Sequence, residues 1–178
     1  MLFSGDEADA QIRSVTLTEQ CNDSTDLCPG AACAACAEIE LWAPHDVVQL
    51  QAGEEFTLSR IDTDIGNETP VGIFIAEQPT KASANVYRLD AYDRMIRLDQ
   101  DFSPWLRDHQ ADFPMTIPDI VAAACEACGV ELVDGTMDGL PNADYQVRAF
   151  YSDGITGRQI IQWAGEAFCR FARMTADG

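Results

Sequence analysis

The apolar residues of this chain change period partway along, and that change limits the fold more than any other feature. Up to residue 91 they recur at every second position, and from residue 117 they recur three and four apart. Period two sends alternate side chains to opposite faces of a strand, whereas spacings of three and four line one face of a helix. The first half is therefore expected to be antiparallel β-structure. Strands are predicted over 15–18, 37–42, 56–60, 71–75 and 86–91. Residues 20–30 read as loop, Pro44 and Pro79 end strands, and Asp62-Thr63-Asp64-Ile65-Gly66-Asn67 is a polar hairpin turn. Strands at near-regular spacing with turn signals between them suggest a small barrel or sandwich.

The second half predicts helix–strand–helix. One helical turn is expected over 93–98, and 99–115, which carries two prolines, reads as a connector. Thr116-Ile117-Pro118-Asp119 has the form of a capping box with proline in the first turn. Ile117, Ile120, Val121, Ala124, Cys125 and Cys128 then share one helical face, and Gly129 stops the helix. Strands are predicted over 130–133 and 145–151, with turns at Asp134-Gly135 and Asp138-Gly139 between them. Thr156-Gly157-Arg158-Gln159 is a second capping box, and Ile160, Ile161, Ala164, Ala167 and Phe168 follow at helical spacing. The helix is expected to end near Cys169, with a further strand opening over 171–174. A strand that opens at the last residues points to a fragment of a longer protein, or to a domain that a partner completes. The fold class expected is α+β: an antiparallel β-barrel-like (tube) domain over 1–98 and a smaller α/β domain over 99–178, truncated or continuing in a longer protein.

Charge narrows the function classes. Thirty acidic residues face eleven basic ones, a net charge of -19, and Lys81 is the only lysine. Phosphate neutralisation needs clustered Lys and Arg, so direct nucleic-acid binding is not expected, nor is docking on an anionic membrane. No apolar run approaches the roughly 20 residues of a membrane span. The opening Met1-Leu2-Phe3 runs straight into Gly5-Asp6-Glu7 and does not read as a secretory signal. Synthesis in a reducing cytoplasm follows, with most of the seven cysteines serving as small buried apolar groups.

Each chemical constellation has a plainer reading beside it. Cys33-x-x-Cys36 and Cys125-x-x-Cys128 have zinc-pair spacing, but the first leads into a strand among alanines and the second lies on an apolar helix face. Buried structural thiols are the expectation. Cys125 and Cys128 also sit at a helix C-terminus, where the dipole disfavours a thiolate. Cys21 and Cys28 are spaced for a disulfide in a polar loop. His45 and His109 belong to no Ser/His or Cys/His motif and read as surface residues. Asp62, Asp64, Asn67 and Glu68 resemble part of a calcium loop, but a solvated turn accounts for them. Gly154-Ile155-Thr156-Gly157 precedes a helix without the P-loop lysine. Trp163 lies beside the apolar helix stripe, Trp42 reads as an interface residue, and Trp105 falls in the connector. No catalytic, cofactor-binding or metal-binding residue is assigned, and no cofactor is expected.

Whole phrases carry more than the motifs. Gly72-Ile73-Phe74-Ile75-Ala76-Glu77-Gln78-Pro79-Thr80 leads to Tyr87-Arg88-Leu89-Asp90-Ala91-Tyr92-Asp93-Arg94-Met95. Leu140-Pro141-Asn142 follows, then Gly154-Ile155-Thr156-Gly157-Arg158-Gln159-Ile160-Ile161-Gln162-Trp163. This succession, over about residues 10–175, resembles phage and prophage tail proteins of the baseplate hub or tail-tip type. The resemblance implies a barrel-like tube domain that assembles as a ring, often a trimer, with other tail proteins as partners. It implies an α/β insertion in the second half, a further barrel segment beyond it, and a place in the virion tail. Members also carry downstream cell-wall-degrading domains, and nothing here matches one. The acidic surplus suggests a channel lining along which DNA slides without adhering. The expectation is a non-catalytic structural protein. The rivals are a thiol- or zinc-stabilised binding module and part of a tail-associated hydrolase.

Overall fold

The computed structural model describes residues 11–22, 29–44, 50–62 and 64–177. Cys28, His45 and Thr63, and with them the Cys21–Cys28 pairing, lie outside the described residues. The fold is mixed α+β, with a six-stranded antiparallel sheet followed by helices. The described residues of Met1–Glu19, Ala34–Arg94 and Met174–Gly178 form one compact unit. Those of Gln20–Cys33 and Met95–Arg173 form the other.

The first unit holds β1 (Gln11–Thr18), β2 (Cys36–Trp42), β3 (Glu55–Ile61), β4 (Glu68–Ala76), β5 (Thr80–Ser83) and β6 (Val86–Asp93). Their order is β1-β2-β6-β4-β3, with β5 also on β6. Among the described residues the sheet stays open: β1 and β3 end the path and do not pair with each other. β5 was not expected. Pro79 ends β4, as predicted, because proline cannot donate to the ladder. The chain then resumes as β5 on the same edge of β6, where Ala76 faces Ala91 and Thr80 faces Arg88.

Alternation builds the core. Ala37, Ile39 and Leu41 of β2 face Ala91, Leu89 and Tyr87 of β6, and Phe74 and Ala76 of β4 join them with Leu50. Phe56 and Leu58 of β3 cover part of this cluster, with Phe56 stacked on Phe74 at 6.1 Å between ring centroids. The other face carries Glu38, Glu40, Arg88 and Asp90, where Arg88 bridges Glu38 at 3.1 Å and Asp90 at 2.9 Å. The buried Asp93 ties β6 back to the start of β2 through Ala35, whose N–H donates to its carboxylate at 2.9 Å. Arg94 donates to both oxygens of Glu55 and anchors the start of β3.

A 3-10 turn, Arg94–Asp99, leads the chain into the second unit's elements: α1 (Ser103–Asp108), β7 (Met115–Thr116), α2 (Ile117–Ala127), β8 (Gln146–Val147) and α3 (Gly157–Phe168). Both predicted capping boxes are present. Thr116 accepts from Asp119 N–H and Thr156 from Gln159 N–H, and each N3 side chain accepts from its cap residue's N–H. Ile120, Ala124 and Ile160 close on Phe102, Leu106 and Ile155 to form the core.

Three expectations for this unit are corrected. Residues 99–115 are not a bare connector, because Asp101 accepts Ser103 N–H at 2.9 Å and Pro104 lies in the first turn of α1. The strand over 130–133 is absent; Val130 N–H instead closes α2 on Cys125 O at 2.8 Å, and Val133 is 54% exposed with no neighbouring strand. The strand over 145–151 shrinks to β8, paired only with β7, and 171–174 forms no strand.

Two close approaches explain glycines in α3. A Cβ on Gly157 would stand 2.7 Å from Cys128 Sγ, and one on Gly165 would stand 2.8 Å from Gly30 Cα. At the far end of α3, Cys169 takes a left-handed conformation at φ 53° and Arg170 N–H returns to Gly165 O at 2.9 Å.

Candidate functional site

β1 is the feature that the fold leaves unfinished. Its alternation is that of a half-buried strand, yet all eight residues are exposed. Ile12, Val15 and Leu17 face Leu41, Ile39 and Ala37, so they lie on the same side of the sheet as the core. Those β2 residues are at most 3% exposed, whereas Ile12, Val15 and Leu17 are 46%, 40% and 37% exposed. The apolar stripe thus runs past the covered part of the sheet. A bulge between Ile12 and Ser14 keeps Ile12 in phase with Val15. Arg13, the extra residue, bridges Glu40 at 2.6 Å. The outer edge of β1 carries no strand among the described residues. Exposed, unpaired edges of this kind are templates for a neighbouring strand, and natural sheets usually blunt them with charge, proline or a cover. Here Arg13 is the single charged residue of the strand.

A second surface lies in the helical unit. α2, α3 and residues 142–150 enclose a groove of about 390 Å³ floored by Ile120, Val121, Ile160 and Ala164. Trp163 and Tyr145 stand over it, 46% and 63% exposed. Trp163 meets Phe150 edge to face at 6.3 Å between ring centroids, and the Asn142 side chain donates to Ala167 O at 2.8 Å, which fixes the wall to α3. No carboxylate, thiol or imidazole lines this groove.

Burial disfavours the thiolate at Cys36, Cys125 and Cys128. Burial, and then the neighbouring Cys128, push the Cys125 thiol up to about 11. Burial also raises Cys128. Cys36, opposite Tyr92 on β6, is raised by burial first and then by Glu38 and Asp90. Cys33 is half-buried, and Cys21 and Cys169 are exposed. Among the described residues no three His, Cys, Asp or Glu side chains gather where a metal ion could sit. His109, expected at the surface, is half-buried: its ring stacks on Trp105 at 4.1 Å, Trp105 stacks on Phe102 at 4.9 Å, and its Nδ1 lies 2.9 Å from Trp105 O. Asp62 and Asp64 form the hairpin turn, with Asp64 N–H donating to Asp62 Oδ1 at 3.0 Å and Gly66 N–H to Asp62 O at 2.7 Å.

Sequence reasoning missed both surfaces. Alternation shows that Val15 and Leu17 share a face but not that both remain more than a third exposed. Trp163 was placed beside the helix stripe without the groove it overhangs. Arg158 was read only as part of a capping box. Its guanidinium, 17% exposed, in fact binds Asp99 at 2.9 Å, Ala32 O at 2.6 Å and Met95 O at 3.0 Å. No helix among the described residues is long and apolar enough to cross a membrane. In comparison with known proteins no family model matches the chain, and no curated protein or solved structure matches it.

Proposed function

We propose that this chain is a non-catalytic structural component of a phage or prophage tail, of the hub or tail-tip type. It works by joining other tail proteins and copies of itself. The observation that carries the reading is β1: an edge strand exposed throughout, whose apolar side chains continue the core stripe of the sheet. A neighbour's strand added there would satisfy its free backbone groups and cover Ile12, Val15 and Leu17. In this reading the open sheet becomes a barrel-like tube only in the assembly, where several copies, often three in such hubs, close a ring. The acidic surplus then serves a bore past which a polyanion slides without adhering. The protein is made in the bacterial cytoplasm and ends in the virion tail.

Antibody labelling of purified tail particles tests the assignment. Label confined to one end of the tail supports it, and particles that contain the other tail proteins but lack this chain sink it. Flanking genes for capsid, tape-measure or lysin proteins would lend further support.

A further inference from the structure

A strand that fits the open edge of β1 stands at the far end of the same sheet. The path β1-β2-β6-β4-β3 ends on β3, whose outer edge carries no strand among the described residues. β3 has seven residues against the eight of β1. Phe56 and Leu58 line its core side, as Val15 and Leu17 line that of β1. Charge also favours the match. β1 contains no acid, and β3 contains none from Phe56 to Ile61. Glu55, at the start of β3, is held by Arg94 at 2.9 Å. In a chain with thirty acids, two acid-free edges can meet without the like-charge repulsion that opposes contact elsewhere. β5 is the competing edge strand, and it carries the devices that close an edge: only four residues, a bulge at Ala82, and Lys81. β3 is longer and unbulged, because the irregularity between Leu58 and Ser59 places the extra residue, Val71, on β4.

Strand direction sets the geometry. Every neighbouring pair on the path is antiparallel, so across five strands β1 and β3 point the same way. Taking β1 as a docking edge, as above, we propose that its occupant is the outer edge of β3 from a second copy of this chain. The two strands pair in parallel, with their apolar sides on one face of a continuous sheet. The contact joins unlike surfaces, so each pair of copies keeps one free β1 and one free β3, and the chain of contacts repeats head to tail until it closes. Pairing of β1 with β1 is the alternative. It is antiparallel, stops at two chains and leaves β3 open.

Two blocked forms of the full chain test the pairing. One carries Val15→Lys with Leu17→Lys on β1, the other Thr57→Lys with Ile61→Lys on β3. Thr57 is exposed and Ile61 is 53% exposed, so the second form should keep the urea midpoint of the native chain. If the midpoint falls, Ile61→Lys alone serves as the β3 block. Masses are read by light scattering at about 1 M salt, where exposed charges are screened beyond roughly 3 Å. The native chain is expected to exceed the mass of two chains, and each blocked form alone to stay at the mass of one. An equal mixture of the two should double in mass and stop there, because it retains one intact edge of each kind. A β3-blocked form that dimerises by itself would overturn the proposal in favour of β1 on β1, with β1 still a docking edge. A β3-blocked form that assembles like the native chain would also overturn it, as would a mixture that stays at the mass of one chain while the native chain assembles. A native chain that stays single at every salt concentration would remove self-docking at β1, and this pairing with it.

Discussion

Arg158 illustrates what single residues do in the helical unit. Its guanidinium gathers the chain at Ala32, Met95 and Asp99, all far from Arg158 in sequence. Hydrogen bonds to a charged group contribute about 1.5–3 kcal/mol, and removing the donor also strands the carbonyls. Arg158→Met is therefore expected to cost about 3 kcal/mol in urea unfolding, with Arg158→Lys recovering only part, because an ammonium lacks the planar fork. Gly157 is set by contact. A methyl there collides with Cys128 Sγ at 2.7 Å, so Gly157→Ala should cost about 1–3 kcal/mol. Adding Cys128→Ala removes the colliding sulfur, and the pair should cost less than Gly157→Ala alone. Cys125 supplies a pH test. Its thiol is held up at about 11, above the value of 9.0 it would have in an open chain. The folded state therefore keeps a proton that the unfolded state loses as pH rises past the ordinary thiol value. That contribution is complete below about pH 9 and is lost as pH rises toward 11, roughly 3 kcal/mol in all. Cys125→Ala should flatten this part of the alkaline stability profile, and the native thiol should react slowly with iodoacetamide at neutral pH.

At the scale of elements, the parts readable in the sequence are those where one local rule acts alone. α2 and α3 have a capping box, an apolar stripe and a defined stop, and all three agree. β2, β4 and β6 alternate cleanly because one face meets the core and the other meets water. The elements that were missed depend on distant partners. β5 is exposed throughout and exists because β6 offers it an edge beyond Pro79. α1 is short and is held by the packing of Phe102 and Leu106, which no local pattern announces. The opposite error occurs at 130–133, where apolar residues have no strand to pair with. The same limit applies to the candidate site: the residues of β1 are legible as a strand, but their exposure is a property of the whole sheet. Val15→Lys should leave the unfolding free energy within about 0.5 kcal/mol, because the side chain is already 40% exposed. Its effect should fall on association. If Val15→Lys unfolds the domain instead, the strand is part of the core and not a docking edge.

For the whole molecule, charge and the open edge act against each other. A net charge of -19 makes copies repel, most strongly at low ionic strength, while strand addition at β1 brings them together through backbone bonds and apolar contact. Salt screens exposed charges within about 10 Å at 0.1 M and leaves the apolar contact in place. Self-association should therefore strengthen with salt. The most direct measurement is the mass in solution by light scattering, over a range of protein and salt concentrations, for the native chain and for Val15→Lys with Leu17→Lys. The account predicts that the native chain forms multimers that grow with salt and concentration, and that the double variant stays at the mass of one folded chain. A native chain that remains monomeric under every condition, or a double variant that assembles equally well, would contradict it.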